Sequence, residues 1–318
     1  IFFAFPRVGF GFFLSRSRPG PSVAGFSSQV ELGHFGTIKD DATVVARVEL
    51  PETDGPLGEP LRLRGISFDT YNGKRWSREK GARGRKPLRG GRGGVRMVER
   101  PDPLPAGTSR LRQRIYLEPL RSDIRPIFGQ SAVTEFQFDD SIFKTLSGTK
   151  RRFFQSLPSE DLSFEGPERT SIIYEVVSEI LPIRPIGIEQ AGEEYPEGIR
   201  NVYLQLPSDL NPAIGELAQT LAGAERHPFA KAKAIETHLS TKFEYTLTSA
   251  QGMEDPLADF LLKTRAGHCE YFASGMVVLL RTLGIPARMA NGFYGGAWNE
   301  FGQYYAIRQG DAHAWVEA

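Results

Sequence analysis

The sequence of 318 residues contains a single cysteine, Cys269, which stands at the predicted start of a helix. Apolar residues follow it at the spacing of one helical face, namely Phe272, Met276, Leu279, Leu280 and Leu283. Gly284 and Pro286 then mark the predicted C-terminal end of this helix. The N–H groups and the dipole at a helix N-terminus stabilise a thiolate and lower the pKa of a cysteine from about 8.5. The position of Cys269 therefore predicts a nucleophile.

A candidate base for this thiol is His313, far along the chain in the segment from Asp311 to Glu317. The segment predicts a strand on which His313 and Trp315 share one face. A cysteine and a histidine that are distant in sequence but adjacent in space form a nucleophile and its base. Asp311 is expected to be a structural residue, and Trp315 to wall the cleft or to fill the core.

Four ordered blocks surround these two residues. They are Gly267-His268-Cys269-Glu270-Tyr271-Phe272-Ala273, then 279–288, then 291–296, then Asp311-Ala312-His313-Ala314-Trp315-Val316-Glu317. Together they closely resemble the transglutaminase-like family, and specifically bacterial membrane-anchored proteins with an extracytoplasmic transglutaminase-like core. The resemblance covers about 257–318 firmly and the helices from 209 more loosely.

The resemblance implies a papain-like fold and a Cys-His-Asp triad, with Cys269 as nucleophile and His313 as base. The family's aspartate lies on the strand after the histidine, so we expect the third member beyond Ala318. The implied reaction is thiol-dependent acyl transfer from the glutamine of a protein or peptide to an amine. The implied location is extracytoplasmic, with membrane anchoring through segments that flank this chain, and cell-wall material is a further candidate partner.

The residues leave three outcomes open for this site. The thioester could react with an amine, which gives a cross-link, or with water, which gives hydrolysis. A cysteine-type peptidase or a cell-wall amidohydrolase is the hydrolytic alternative. A catalytically inactive binding or scaffold module is the third.

Composition excludes several other classes of protein. One cysteine rules out an internal disulfide and a cysteine-rich zinc module. A zinc site built from His268, Cys269 and His313 would lack the usual paired-ligand spacing, so neither a metal nor a cofactor is predicted. The net charge of +1 argues neither for nor against nucleic acid as a whole.

The basic run 78–100 carries nine arginines and lysines that are opposed by Glu79 and Glu99. It could tether RNA, an anionic lipid surface or an acidic cell-wall polymer. No aromatic residue interleaves the run as a stacking platform requires, so we expect no nucleic-acid partner. We predict instead that the run is a solvated, mobile insertion between two strands.

The chain as a whole predicts an α+β fold in which a β-rich, sandwich-like domain precedes the papain-like transglutaminase core. Residues 1–40 are predicted to be a membrane-proximal segment, although the apolar stretch 1–14 is shorter than the roughly 20 residues of a membrane span. The β-rich domain occupies 41–182, and the core, truncated at its C-terminus, occupies 195–318. The core predicts helices that begin near 211, 228 and 256, and strands at 288–294 and 303–308.

The remaining candidates are expected to be structural. Asp69, Asn72 and Trp76 fit turn and core positions around an Asn-Gly hairpin. His268 adjoins the cysteine but points elsewhere, so it lines the cleft or is exposed. His34, His227 and His238 are expected at the surface or at helix caps.

Overall fold

The computed structural model describes residues 2–3, 26–32, 41–79, 84–91, 94–99, 107–120, 122–130, 132–139, 151–166, 171–180, 187–247 and 254–318. The helices in these ranges are α1 (Glu197–Tyr203), α2 (Pro212–Ala222), α3 (Pro228–Lys242), α4 (Pro256–Ala258) and α5 (Cys269–Thr282). A π-helix (Asp259–Thr264) follows α4, and 3-10 turns lie at Ile188–Gln190 and Gln309–Asp311.

The strands, in chain order, are β1 (Phe2–Phe3), β2 (Gln29–Glu31), β3 (Val44–Glu49), β4 (Arg62–Phe68), β5 (Thr70–Tyr71), β6 (Arg75–Ser77), β7 (Arg85–Leu88), β8 (Arg96–Met97), β9 (Ser109–Leu117), β10 (Gly129–Gln130), β11 (Ala132–Phe138), β12 (Arg152–Ser156), β13 (Asp161–Glu165), β14 (Ile172–Ile180), β15 (Glu244–Tyr245), β16 (Ala266–Gly267), β17 (Arg288–Tyr294), β18 (Ala297–Asn299), β19 (Tyr304–Arg308) and β20 (Ala312–Glu317). Helices and strands of this kind confirm the predicted α+β class.

Two antiparallel sheets join the N-terminal and C-terminal halves of the chain. One has the strand order β1-β20-β17-β4-β10, so β4 lies beside β17. The other has the order β18-β19-β3-β9-β14-β11-β8, so β3 lies beside β19. The division into 41–182 and 195–318 stays a prediction, and strands from both ranges are hydrogen-bonded to each other.

The local signals in the sequence predicted most of the helix and hairpin boundaries. Asn211 caps α2 by accepting a hydrogen bond from the N–H of Ala213 at 3.1 Å, and Asp255 caps α4 in the same way. The predicted hairpin is present as β5 and β6, with the side chain of Asn72 accepting from two backbone N–H groups of the turn. Trp76 on β6 is fully buried, which confirms its predicted core position.

The basic run is solvated along β7, as predicted, but the prediction of a mobile insertion is wrong for Arg78, β7 and β8. Arg78 is partly buried and forms an ion pair with Asp161, and β7 and β8 pair with β12 and β11. The guanidinium of Arg85 lies 3.5 Å from the ring centre of Phe154, where it stacks on the ring face. The aromatic partners of the run therefore come from a neighbouring strand, which the run itself could not reveal.

Helix α5 lies at the centre of the C-terminal part and is buried on all sides. Every residue from Cys269 to Arg281 is buried. The helix packs against β20 and β17 on one side and against α2 and α3 on another. A helix that is enclosed in this way holds its first residue in a fixed position.

Gly292 is expected to tolerate no side chain, because β17 passes close to β4 at this residue. A Cβ there would lie 2.0 Å from the carbonyl oxygen of Leu63 and 2.6 Å from the ring of Trp315. We predict that Gly292→Ala lowers the free energy of unfolding by about 3 kcal/mol. The matched change Gly215→Ala, in open space on α2, should raise it by about 0.5–1 kcal/mol. Urea titrations of both variants measure the difference, and equal stabilities would contradict it.

Within the described residues, no helix is both long enough and apolar enough to span a membrane. Most of the predicted membrane-proximal segment 1–40 lies outside the described residues.

Candidate active site

Cys269 is the first residue of α5, as its sequence context predicts. His268 occupies the N-cap position in an extended conformation, and Cys269 is completely buried. The preceding strand β16 pairs in parallel with β15, so Gly267 lies opposite Tyr245 and the chain enters the helix from a fixed edge. The N–H groups of a first helical turn and the helix dipole point toward such a side chain.

His313 is the second residue of β20, the strand against which α5 packs. Its side chain is 1% exposed, and its ring centre lies 5.5 Å from that of Tyr294 at the end of β17. In the sheet, His313 is paired with Gly292. The fold thus brings the elements that carry Cys269 and His313 into direct contact.

Trp315 fills the core. It is fully buried, and its Nε1–H donates to Oε1 of Glu317 at 3.4 Å. His313, Trp315 and Glu317 alternate along β20 and so project from the same face of the strand. The backbone of β20 is buried along its whole length, which fixes this row of side chains.

Glu270 is a buried carboxyl group that sequence reasoning missed. It follows Cys269 in the first turn of α5 and is 2% exposed, and among the described residues its Oε2 has no hydrogen-bond partner. Burial raises the pKa of Glu270 to about 8. An acidic residue in the first turn of a helix is normally an exposed partner of the helix dipole, so nothing in the local sequence signals the burial of Glu270.

The protonation of Glu270 predicts a measurable dependence of stability on pH. Between about pH 4.5 and 8 the unfolded chain has lost this proton and the folded chain has kept it. The free energy of unfolding therefore falls as pH rises, by up to about 1.4 kcal/mol per pH unit. Glu270→Gln should remove this component of the slope, and Glu216→Gln at an exposed position of α2 is the control. Chemical denaturation at several pH values tests this, and identical slopes in all three proteins would contradict it.

A buried ion cluster lies at the end of β20. It consists of three cations and two anions: Arg64, Arg78, Arg288, Asp161 and Glu317. Arg64 bonds Asp161 and Glu317, each at 2.7 Å, and Arg288 bonds Glu317 at 2.6 Å. The neighbouring arginines hold the pKa of both carboxyl groups below the usual range despite their burial. Four members lie on four different strands and Arg78 follows the end of β6, so no local motif could have predicted the cluster.

Arg281 holds the C-terminal half of α5 in place by hydrogen bonds to three backbone carbonyl groups. Its guanidinium donates to the carbonyl oxygens of Ala287, Asp69 and Gln205 at 2.8, 2.9 and 2.7 Å. Burial lowers the pKa of Arg281 to about 9. The helix that begins with Cys269 is thereby tied to segments from both halves of the chain.

The structure also shows the surroundings of the other sequence candidates that lie within its described residues. His268 is fully buried, so the exposed alternative for it is wrong, and its ring lies 5.0 Å from that of Tyr271. Asp311 accepts a hydrogen bond from the N–H of Arg308, which fits a structural role. His227 is exposed at the N-cap of α3, and His34 lies outside the described residues. Within the described part of the chain, no group of three or more His, Cys, Asp or Glu is placed to hold a metal.

A helix that begins with Cys269 and packs on the antiparallel strand of His313 is the arrangement that the resemblance to the transglutaminase-like family implies. Residues 215–318 match the family model described as the transglutaminase-like superfamily. Residues 1–185 match the TgpA N-terminal domain, and the chain belongs to this family. The predicted order of a β-rich region followed by a transglutaminase-like core is confirmed.

Relatives and solved structures agree with this assignment. The chain is 28% identical over its full length to a protein-glutamine gamma-glutamyltransferase of Pseudomonas aeruginosa, and 38% identical over 42% of its length to the uncharacterized protein YebA of Bacillus subtilis. It spans 42% and 19% of the lengths of these two relatives. The periplasmic domain of TgpA from Pseudomonas aeruginosa bound to ethylmercury superposes with a TM-score of 0.66 at 27% identity, covering 92% of this chain and 91% of that domain.

Proposed function

We propose that this chain carries out thiol-dependent acyl transfer on carboxamide groups, with Cys269 as nucleophile and His313 as general base. The observation that carries the proposal is the packing of α5, which begins with Cys269, on β20, which carries His313. The relative named as a protein-glutamine gamma-glutamyltransferase supports the choice of reaction.

In the first half of the reaction, the thiolate of Cys269 attacks the carbonyl carbon of a glutamine side chain. The resulting tetrahedral oxyanion collapses, the C–N bond breaks, and the imidazolium of His313 gives its proton to the leaving ammonia. The product on the protein is a thioester between the acyl group and Sγ of Cys269. No redox change occurs.

The oxyanion needs a donor at the start of α5. The N–H of Cys269 is the natural one, because it lies at the positive end of the helix dipole. A nearby negative charge would oppose both the thiolate and the oxyanion. Burial keeps Glu270 protonated at neutral pH, so this neighbour of Cys269 adds no such charge.

In the second half, an amine attacks the thioester and regenerates the thiol. His313 accepts the proton of the amine as the new amide bond forms. Water can replace the amine, and the acyl group is then released as a carboxylate. The proposed substrates are a glutamine of a protein or peptide and a primary amine.

An extracytoplasmic location is part of the proposal, since the structure matches the periplasmic domain of TgpA. Membrane anchoring through flanking segments and contact with cell-wall material stay predictions.

The test is an incubation of the chain with a glutamine-containing peptide, with and without a fluorescent primary amine. Incorporation of the amine together with ammonia release is the expected result. Ammonia release that is equal in both samples, without incorporation, would show a hydrolase in place of a transferase. The absence of both incorporation and ammonia release would contradict acyl transfer and would favour a binding module.

A further inference from the structure

The buried ion cluster connects the strand of His313 to a strand near the middle of the sequence. Asp161 is the first residue of β13 and is 1% exposed. Its carboxylate accepts from Arg64 and Arg78, both at 2.7 Å, and from the N–H and the hydroxyl of Ser67. A carboxylate with this many charge-assisted and backbone hydrogen bonds has one well-defined position.

Arg64 connects Asp161 to β20 by hydrogen bonds. Its Nε and Nη2 donate to the two oxygens of Glu317 at 2.7 and 3.1 Å, and its Nη1 donates to Asp161. One guanidinium therefore bridges the carboxylate on β13 and the carboxylate on β20. The planar fork of arginine makes such a bridge sensitive to angle as well as distance.

Two routes link this bridge to His313. Along β20, Glu317 accepts from Trp315, and His313 projects from the same face two residues before Trp315. Across the sheet, Arg64 is paired with Gly292, and Gly292 is paired with His313. A displacement of Arg64 would therefore shift the end of β20 at Glu317, and it would also shift β17 at Gly292, beside the imidazole of His313.

Asp161 offsets the charge of two largely buried arginines, Arg64 and Arg78. The cluster holds three cations, and without the carboxylate of Asp161 only Glu317 would remain to balance them. Removing one partner of a buried ion pair leaves the other charge uncompensated, so the remaining groups must move or admit water. Arg64 is the group most affected, because it shares its hydrogen bonds between the two carboxylates.

We propose that Asp161 is a positioning residue for the candidate active site, which fixes β20 and the imidazole of His313 through Arg64 and Glu317. This proposal rests on the proposed acyl transfer and adds that the N-terminal β-rich region sets the geometry of Cys269 and His313. Asp161 acts through Arg64 and Glu317 and takes no part in the chemical step.

The experiment compares Asp161→Asn with Glu165→Gln in the full chain. Glu165 is the matched control, since it lies on the same strand β13 and pairs with Arg85 and Arg152 at an exposed position. We expect Asp161→Asn to lower kcat for amine incorporation by about 10- to 100-fold at nearly unchanged KM. The pH profile of Cys269 alkylation by iodoacetamide should also shift toward that of a cysteine without an imidazole partner. Glu165→Gln should leave kcat and the alkylation profile unchanged.

Thermal unfolding establishes that each variant is folded at the assay temperature. If Asp161→Asn does not fold, Arg78→Gln is tested in its place. This change removes one of the two arginines that bond Asp161 and keeps the Arg64–Asp161 pair. A smaller shift of the alkylation profile, in the same direction, is then expected. A folded variant with the kcat and alkylation profile of the unmodified chain would overturn the proposal. If the unmodified chain incorporates no amine, acyl transfer fails, and the alkylation profile alone decides whether Asp161 positions His313.

Discussion

Replacement of Cys269 by Ala is expected to reduce amine incorporation to the background of the assay. The proposed reaction passes through a thioester on the only sulfhydryl of the chain, so no other residue can carry the acyl group. Loss of the nucleophile from a catalytic triad costs about 10⁶-fold in kcat. A fluorescent-amine assay on a glutamine peptide measures the loss.

Folding of the Cys269→Ala variant is the necessary control. Cys269 is completely buried, and its replacement by Ala removes only one sulfur atom, so we expect a loss of stability of about 1 kcal/mol. Thermal unfolding should therefore show a folded protein. Incorporation by a folded Cys269→Ala variant at the rate of the unmodified chain would contradict the proposed mechanism.

Replacement of His313 by Ala is expected to have the next largest effect on activity. A positioned general acid–base group contributes about 10²- to 10⁴-fold to the rate, and kcat/KM should fall within that range. Steady-state kinetics on a glutamine peptide with a fluorescent amine measures the fall in kcat/KM.

His227→Ala is the matched control for His313→Ala. His227 is exposed at the start of α3, so the change removes the same side chain without touching the site. This variant should keep the activity of the unmodified chain. Equal activity of the two histidine variants would remove His313 from the mechanism.

The sequence predicted the two elements of the candidate site because their signals are local. The apolar spacing after Cys269 and the closing Gly284 define α5 to within a residue. The predicted strand around His313 is present, although the chain forms a 3-10 turn through Asp311 and the strand begins at Ala312. Caps and turns at Asn211 and Asn72 are local in the same sense.

Sequence reasoning missed the features that depend on long-range pairing. β4 and β17 are more than 200 residues apart, and no periodicity within either strand reveals that they share a sheet. The ion cluster depends on that pairing, because it brings Arg64 to the end of β20. The burial of Glu270 has the same origin, since the elements that enclose α5 come from distant parts of the chain.

The most direct test of the central claim is the rate at which iodoacetamide alkylates Cys269 as a function of pH, in the unmodified chain and in His313→Ala. If the helix start and the imidazole together keep the sulfur ionised, the half-maximal rate lies below pH 7 for the unmodified chain, and the midpoint shifts toward about 8.5 in the variant. Coincident profiles with midpoints near 8.5 would contradict a thiolate–imidazolium pair.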